Sequence, residues 1–324
     1  MKYVVVGGLT IDNILSASGE RRFSQFGGNA AYGAAGARIW ATGEVGMVAR
    51  KGGDFPDEWM REVQVAGIDV SGVTPVPGPH LLTSGMIYDD RGDRDDYLST
   101  EDVAGASGRG RQNTSLAAQH RAQEEFGADK ADIPARYNSA KAVFLAARYL
   151  NKQRGCAKHF REVNPHAKLV LDPSEFYMHL ERSAEIRELF GMVDVVLPSE
   201  TEIRHLLGPI DLLEGAKYLN EMLGARVVVV KAGMAGCIVY DGQSRTTTRI
   251  PIFPVYAKDP TGAGDSFCGG FLVGLQETGD PVRAAMYGTV SSSFIVEHFG
   301  ASATYAVTRR EAELRLAHLK NLAL

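Results

Sequence analysis

In KDPTGAGDSFCGGF, residues 258–271, an acid stands directly behind three small residues: Gly262, Ala263 and Gly264, then Asp265. An apolar helical pattern starts immediately after it. Small residues let the chain turn tightly and let another group come close, and the unpaired N–H groups of a helix start draw anions, phosphate foremost. A carboxylate in that position repels a phosphate, so it needs a task of its own. Capping the helix is the plain one, since Asp is a common N-cap. A second turn of the same kind, FGGNAAYGAAGA at 26–37, sets Gly28 against Asn29, whose amide both donates and accepts. It reads either as a ligand loop or as the start of a helix packed closely on a sheet. The phosphate loop G-x-x-x-x-G-K-[ST] is absent, and the first strand runs into GGLTID rather than G-x-G-x-x-G. Both facts argue against a P-loop enzyme and a standard dinucleotide-binding dehydrogenase.

The elements that must hold these turns are legible as alternating patterns. Short β-branched runs lie at 3–8, 44–50, 142–147, 168–172, 193–197 and 226–231, with helical patterns at 29–40, 56–65, 152–163, 182–190, 200–207 and 212–223. That alternation predicts an α/β fold, a three-layer sandwich around a mostly parallel sheet. Beyond Lys231 the pattern changes to hairpins, CIVYDG and TTTRIPIFPVY, and then to three helices starting near Gly264, Pro281 and Arg309. Segments 10–25 and 80–99 alternate in strand fashion around polar turns such as DDRGD, which predicts a pair of hairpins forming a small β-strand lid. Residues 100–138 are polar, with one weak helical stretch near 115–126, and read as a surface insertion.

Composition narrows the function classes. A hydrophobic share of 44% and a charged share of 23% are those of a globular protein, and a net charge of −4 gives no reason to expect nucleic acid or an acidic membrane as partner. Glycine, at 36 of 324 residues, exceeds the usual share of about 7% and suits many tight strand-to-helix turns. Cys156, Cys237 and Cys268 share no Cys-x-x-Cys spacing, so neither a disulfide framework nor a zinc site is indicated. Free thiols and the lack of a long apolar run predict a cytoplasmic location.

Taken together and in this order, FGGNAAYGAAGARIWATGEVGMVARKGGDFP (26–56) and DPTGAGDSFCGGFLVGL (259–275) resemble the two motifs of the ribokinase-like, phosphofructokinase-B-type carbohydrate kinases. The resemblance covers the chain apart from 100–138. It implies the sandwich with its lid, ATP and Mg²⁺, and phosphorylation of a hydroxyl on a small sugar, polyol or related metabolite. Nucleosides are the alternative acceptor, because DPTGAGDSF followed by a helix ending SSSFIVEHFG also resembles nucleoside-acting members. A non-catalytic sugar-binding relative would be expected to lack the acid of GAGD. By the resemblance, Gly262, Ala263 and Gly264 form an anion hole and Asp265 is the general base. Asp12 of LTIDN, with Gly28 and Asn29, faces the acceptor. Lys231, Gly233 and Gly236 of KAGMAG follow the nucleotide, and Thr289 to Ser292 border its adenine. Glu202 of LPSETE holds Mg²⁺ through water, and Asp259, Thr261 and Gly300 mark a site for a monovalent cation such as K⁺.

Each of these positions has a plainer reading: a turn cap for Asp12, a helix-start acid for Glu202, a hairpin turn for KAGMAG, helix packing for Thr289. The chain also departs from the family pattern. Ser199 stands where Asn is usual, Ser174 and Phe176 replace an Asn and an Arg after the strand ending at Asp172, and Tyr32 replaces another Asn. Arg148 reads as a substitute phosphate contact or as a surface arginine. Lid residues Tyr88, Asp95 and Tyr97 are expected to recognise the acceptor, and a homodimer through the lid would cover its exposed strand edges.

Overall fold

The structure, a computed structural model, describes residues 1–88, 94–95 and 116–322. Among these the strands are β1 (Tyr3–Val6), β2 (Thr10–Leu15), β3 (Arg21–Gly27), β4 (Val45–Lys51), β5 (Ile68–Pro75), β6 (Thr83–Tyr88), β7 (Arg94–Asp95), β8 (Ala142–Leu145), β9 (Lys168–Leu171), β10 (Val195–Val196), β11 (Val227–Lys231), β12 (Cys237–Asp241) and β13 (Thr246–Ile250). The helices are α1 (Asn29–Trp40), α2 (Asp57–Val65), α3 (Leu116–Phe126), α4 (Leu150–Val163), α5 (Ser183–Phe190), α6 (Glu200–Leu207), α7 (Leu212–Glu221), α8 (Ala263–Thr278), α9 (Pro281–Ile295) and α10 (Arg309–Leu322).

The main sheet runs in the order β13-β12-β11-β10-β9-β8-β1-β4-β5. From β11 to β5 every pairing is parallel, and only β12 and β13 turn back antiparallel. Alternate side chains of each strand feed two separate cores. Tyr3 and Val5 pack with Ala34, Cys268 and Val290 under α1, α8 and α9, whereas Val4 and Val6 pack with Phe160, Leu189, Ile203 and Leu219 under α4 to α7. Burial on both faces is why these strands read as short, nearly continuous apolar runs. Strand β5 was not anticipated. It lies at the sheet edge with only Ile68 and Gly72 buried, so its sequence lacks that run. Helices α1 and α8 meet through glycines: a Cβ on Gly269 would fall 1.9 Å from the Gly33 carbonyl oxygen, and one on Gly36 2.2 Å from that of Ser266.

The lid is a second sheet, β3-β2-β6-β7. The hairpin β2–β3 is antiparallel, but β6 joins it parallel to β2, from Ile11 opposite Thr83 to Leu15 opposite Ile87. The second hairpin survives as the two-residue pairing of β6 with β7; its DDRGD turn, at 89–93, and Tyr97 lie outside the described residues. On the inner side Ile14, Met86 and Tyr88 form a small core against Phe299.

The reading of 100–138 as a surface loop does not hold for its last part. Helix α3 forms where the weak helical stretch was seen, and Ala122, Phe126, Ala128 and Tyr137 are at most 1% exposed. Tyr137 donates its hydroxyl to the Asp69 carbonyl at 3.0 Å, and Arg50 pairs with Asp132 at 2.7 Å, tying the segment to β4 and β5. Four well-placed apolar side chains suffice for this. Averaged over a 39-residue polar stretch, they left no trace in the composition. Residues 96–115 lie outside the described chain.

Candidate active site

In a parallel sheet every strand delivers its C-terminal residue to the same edge, where ligands of open α/β folds bind. Here that edge collects Gly7 and Gly8 after β1, Arg148 after β8, Asp172 after β9, Ser199 after β10 and Lys231 at the end of β11. The N-termini of α1 and α8 arrive at the same edge.

Residues 260–263 form a turn in which the Ala263 amide donates to the Pro260 carbonyl at 3.1 Å and Gly262 takes φ 73°, ψ 5°. Those angles are the third position of a type II turn, which demands glycine. A Cβ on Gly262 would also fall 2.1 Å from the ring of Tyr32. The Ala263 amide is therefore spent on the turn, and the Gly264 amide follows at the second helical position. Asp265, third in α8 and half-buried, stands one residue beyond it. No side chain caps the helix.

Tyr32 joins the two ends of the site. Its ring lies under Gly262, and its hydroxyl reaches Asp12 Oδ2 at 3.5 Å. Burial raises its pKa well above the phenolic range, helped by Asp12, Asp259 and Asp265 around it. Asp12 is 2% exposed at a bulge of β2, where its Oδ1 accepts from Thr10 and Ser84 at 2.5 Å each. A Cβ on Gly27 would collide with that carboxylate, and one on Gly28 with the Gly8 carbonyl, so the GG of the first motif is required by close approach. Asn29 spends its amide on the scaffold: Oδ1 accepts from Gly8 N–H at 2.7 Å and Nδ2 donates to the Ala147 carbonyl at 2.8 Å, clamping β1 to β8.

On the other side of Asp265, Lys231 Nζ donates to Asp172 Oδ2 at 2.6 Å and stands 3.6 Å from where a Gly264 Cβ would be. Burial opposes the charge on Lys231, but the Asp172 carboxylate outweighs it and keeps the proton on the ammonium. Asp172 Oδ1 is buried without a partner, and Cys268 packs its thiol against the same pair. Sequence reasoning named Lys231 but missed Asp172; its place at the end of a parallel strand was the available signal. Phe176 is 38% exposed and rests its ring against Tyr149, and Ser174 is buried, so neither offers the charge of the family's arginine.

Glu202 sits at the start of α6 in a reciprocal capping box with Ser199, which is the plainer of its two readings. It is still among the charges acting on Lys231 and Asp172. Among the described residues no three His, Cys, Asp or Glu gather closely enough to hold a metal. That fits Mg²⁺ only in its usual mode with nucleotides, held mainly by phosphates and water. The loop with Asp259 fits a cation better. Asp259 is fully buried, its Oδ1 accepts from the Thr261 amide at 2.9 Å and hydroxyl at 2.5 Å, and its Oδ2 has no partner. Burial pushes the carboxyl up to about 6 against those hydrogen bonds. The Thr261 hydroxyl, whose one proton goes to Asp259, lies 2.9 Å from the Tyr88 hydroxyl of the lid. Gly300, at φ 76°, lies beside Gln25 and Phe26 at the end of β3.

Gly233 and Gly236 take φ 53° and 81° in a tight turn after β11, with a Cβ on Gly236 excluded by the Ile250 carbonyl. Thr289 is 7% exposed with its hydroxyl against the Cys237 thiol. Ser292, one turn on, donates to the Ala263 carbonyl at the start of α8 at 2.8 Å.

A mostly parallel sheet covered by helices on both faces, with a small second sheet as lid, is a ribokinase-like fold. The family model of the pfkB carbohydrate kinases matches residues 1–308, and the chain belongs to that family, whose members transfer a phosphoryl group from ATP with Mg²⁺. It is 31% identical to a cytidine kinase of Thermococcus kodakarensis over 278 residues, covering 84% of this chain and 87% of that one. Among solved structures it is similar to Burkholderia thailandensis nucleoside kinase in complex with inosine (TM-score 0.73, 16% identity, 98% of this chain and 99% of the other). It is similar to the same degree to ribokinase from Giardia lamblia (TM-score 0.73, 17% identity, 98% and 99%). Among the described residues no helix is long and apolar enough to cross a membrane.

Proposed function

We propose that the protein transfers the γ-phosphoryl group of ATP to a hydroxyl of a small sugar or polyol, with Asp265 taking the hydroxyl's proton. The observation that carries this reading is the placement of two carboxylates around one turn: Asp265 in the first turn of α8, and Asp12 across the ring of Tyr32 on which Gly262 rests. Phosphoryl transfer depends on alignment and charge stabilisation more than on covalent chemistry. The Gly264 amide and the positive end of α8 hold the phosphoryl oxygens, and the Lys231 ammonium adds charge, aimed by Asp172. Asp12 accepts from the acceptor hydroxyls, on a floor kept open by Gly27 and Gly28. Gly233 and Gly236 let the chain run close along the nucleotide. Mg²⁺, held with the phosphates and near Glu202 through water, would offset charge on the β- and γ-phosphates. Asp259, Thr261 and the loop at Gly300 would hold a monovalent cation that fixes the shape of the turn. A cytoplasmic location and a homodimer through the lid belong to the same proposal.

A nucleoside is the second reading of the acceptor, favoured by the relatives named cytidine kinase and nucleoside kinase. An ADP-release assay with Mg-ATP against pentoses, hexoses, polyols and nucleosides decides between the two. Asp265→Asn tests the mechanism: it should stay folded and bind ATP while kcat falls roughly 10²- to 10⁴-fold, the usual share of general-base catalysis. Asp12→Ala should act mainly through the acceptor KM. Near-wild-type kcat in folded Asp265→Asn would reduce that residue to a helix-start acid.

A further inference from the structure

Arg148 follows β8 at the ligand-binding edge of the sheet, and it is 5% exposed, not a surface arginine. Its guanidinium lies between the end of β1, the start of α1 and the turn after α3. A Cβ on Gly8 would fall 3.3 Å from Nη2 and one on Gly127 3.2 Å from Nη1. The usual partners of a buried arginine are absent. Among the described residues no carboxylate pairs with it, and Nε has no acceptor. Its one hydrogen bond is long, from Nη2 to Asn29 Oδ1 at 3.4 Å, and that oxygen already accepts from Gly8 N–H at 2.7 Å. Two acids act on it without pairing: Asp132, which is claimed by Arg50, and Asp265. A buried cation without a counter-ion is costly and is kept only where something else answers it.

A second feature lies beside it. Helix α1 begins at Asn29, which takes the Arg148 bond, so its positive end adjoins the guanidinium, with the Ala30 amide spent on the Gly8 carbonyl at 3.0 Å. Arg148 adjoins the acceptor side of the site: Gly28 packs on Gly8, next to the guanidinium, and Gly27 on the Asp12 carboxylate. The nucleotide side lies elsewhere: in the order β11-β10-β9-β8, Lys231 stands three strands away.

We propose that Arg148 and the start of α1 select an acceptor that carries an anionic group, a carboxylate or a phosphate monoester, at a distance from its reacting hydroxyl. A planar guanidinium can hold either group through two parallel N–H bonds. The inference rests on the reading of Asp12 as the acceptor site, and it favours a charged sugar derivative over a neutral nucleoside.

The test is calorimetric titration without nucleotide, using matched probes: D-glucose against D-gluconate, D-ribose against ribose 5-phosphate, and cytidine against cytidine 5′-phosphate. At least one charged probe should bind at least tenfold more tightly than its neutral partner. Arg148→Met should cancel that preference, Arg148→Lys should keep part of it, and Asp12→Ala should weaken both members of the pair. The carboxylate and phosphate arms report which anion is meant. Equal binding of charged and neutral partners, or a preference that survives Arg148→Met, overturns the inference and leaves the acceptor site standing. Binding of no probe by a protein that still binds Mg-ATP removes the acceptor-site reading and this inference together. A fall in kcat of the same size for charged and neutral acceptors in Arg148→Met, with KM unchanged for both, would assign the arginine to the transferred phosphoryl group instead and overturn the proposal.

Discussion

Replacing Asp259 by Asn should stabilise the free protein and abolish its response to potassium. The carboxyl is fully buried, one oxygen is satisfied by Thr261, the other has no partner, and burial raises it from 3.8 to about 6. The folded state therefore prefers the protonated form. Its favourable contribution is complete below pH 3.8 and is lost as the pH rises through 6. At pH 7.5, with no cation bound, the shift of roughly two units corresponds to about 3 kcal/mol of destabilisation. Asn keeps an oxygen for the Thr261 amide and hydroxyl and removes the charge. With an unfolding entropy of about 2.1 cal/mol/K per residue over 324 residues, relief of that cost should raise the thermal midpoint by about 4 °C in tetramethylammonium buffer. Potassium should lift the wild type by a similar amount and leave the variant where it is. Differential scanning calorimetry at pH 7.5 and pH 5 measures both effects, and the gap between the two proteins should narrow at pH 5. A variant no more stable than the wild type without potassium, or an equal potassium response in both, would refute the idea of an uncompensated buried charge.

Two further perturbations probe the surroundings of the site. Phe126, fully buried against Leu82 and Ala122, should cost about 3–5 kcal/mol when cut to Ala; a denaturant titration showing under about 1 kcal/mol would return α3 to the status of a dispensable insertion. His80 is buried between Phe55 and Phe126, accepts from Gly52 N–H at Nδ1, and is pushed by burial down to about 4. Its neutral form stabilises the fold fully above pH 6.5, and about 3 kcal/mol should be lost as the pH falls from 6.5 through 4; an acid-unfolding profile unchanged in His80→Gln would show that this histidine does not set the acid limit.

The sequence by itself determined the sheet, the glycine turns and the family. Strands buried on both faces must be apolar along most of their length, so six of them were visible, and helices α1 and α6 lie at the residues their patterns mark. The turn at Gly262 was equally legible, because the αL backbone and the ring of Tyr32 leave room only for glycine. What local patterns could not supply were properties created by long-range contact. The edge strand β5 buries one side only, and the four apolar residues that dock α3 and its turn are diluted in a polar segment. The parallel addition of β6 to β2 depends on a crossover that no local pattern encodes. The site divides in the same way. Asp12, Asp265 and Lys231 stand in recognisable turns. Asp172 aiming Lys231, Tyr32 bridging Asp12 to Gly262, and Arg148 buried without a counter-ion exist only because strands far apart in the chain end side by side. Types and spacings of residues are local and fix the chemistry on offer; burial and unmet charge are collective, and only the folded chain assigns them.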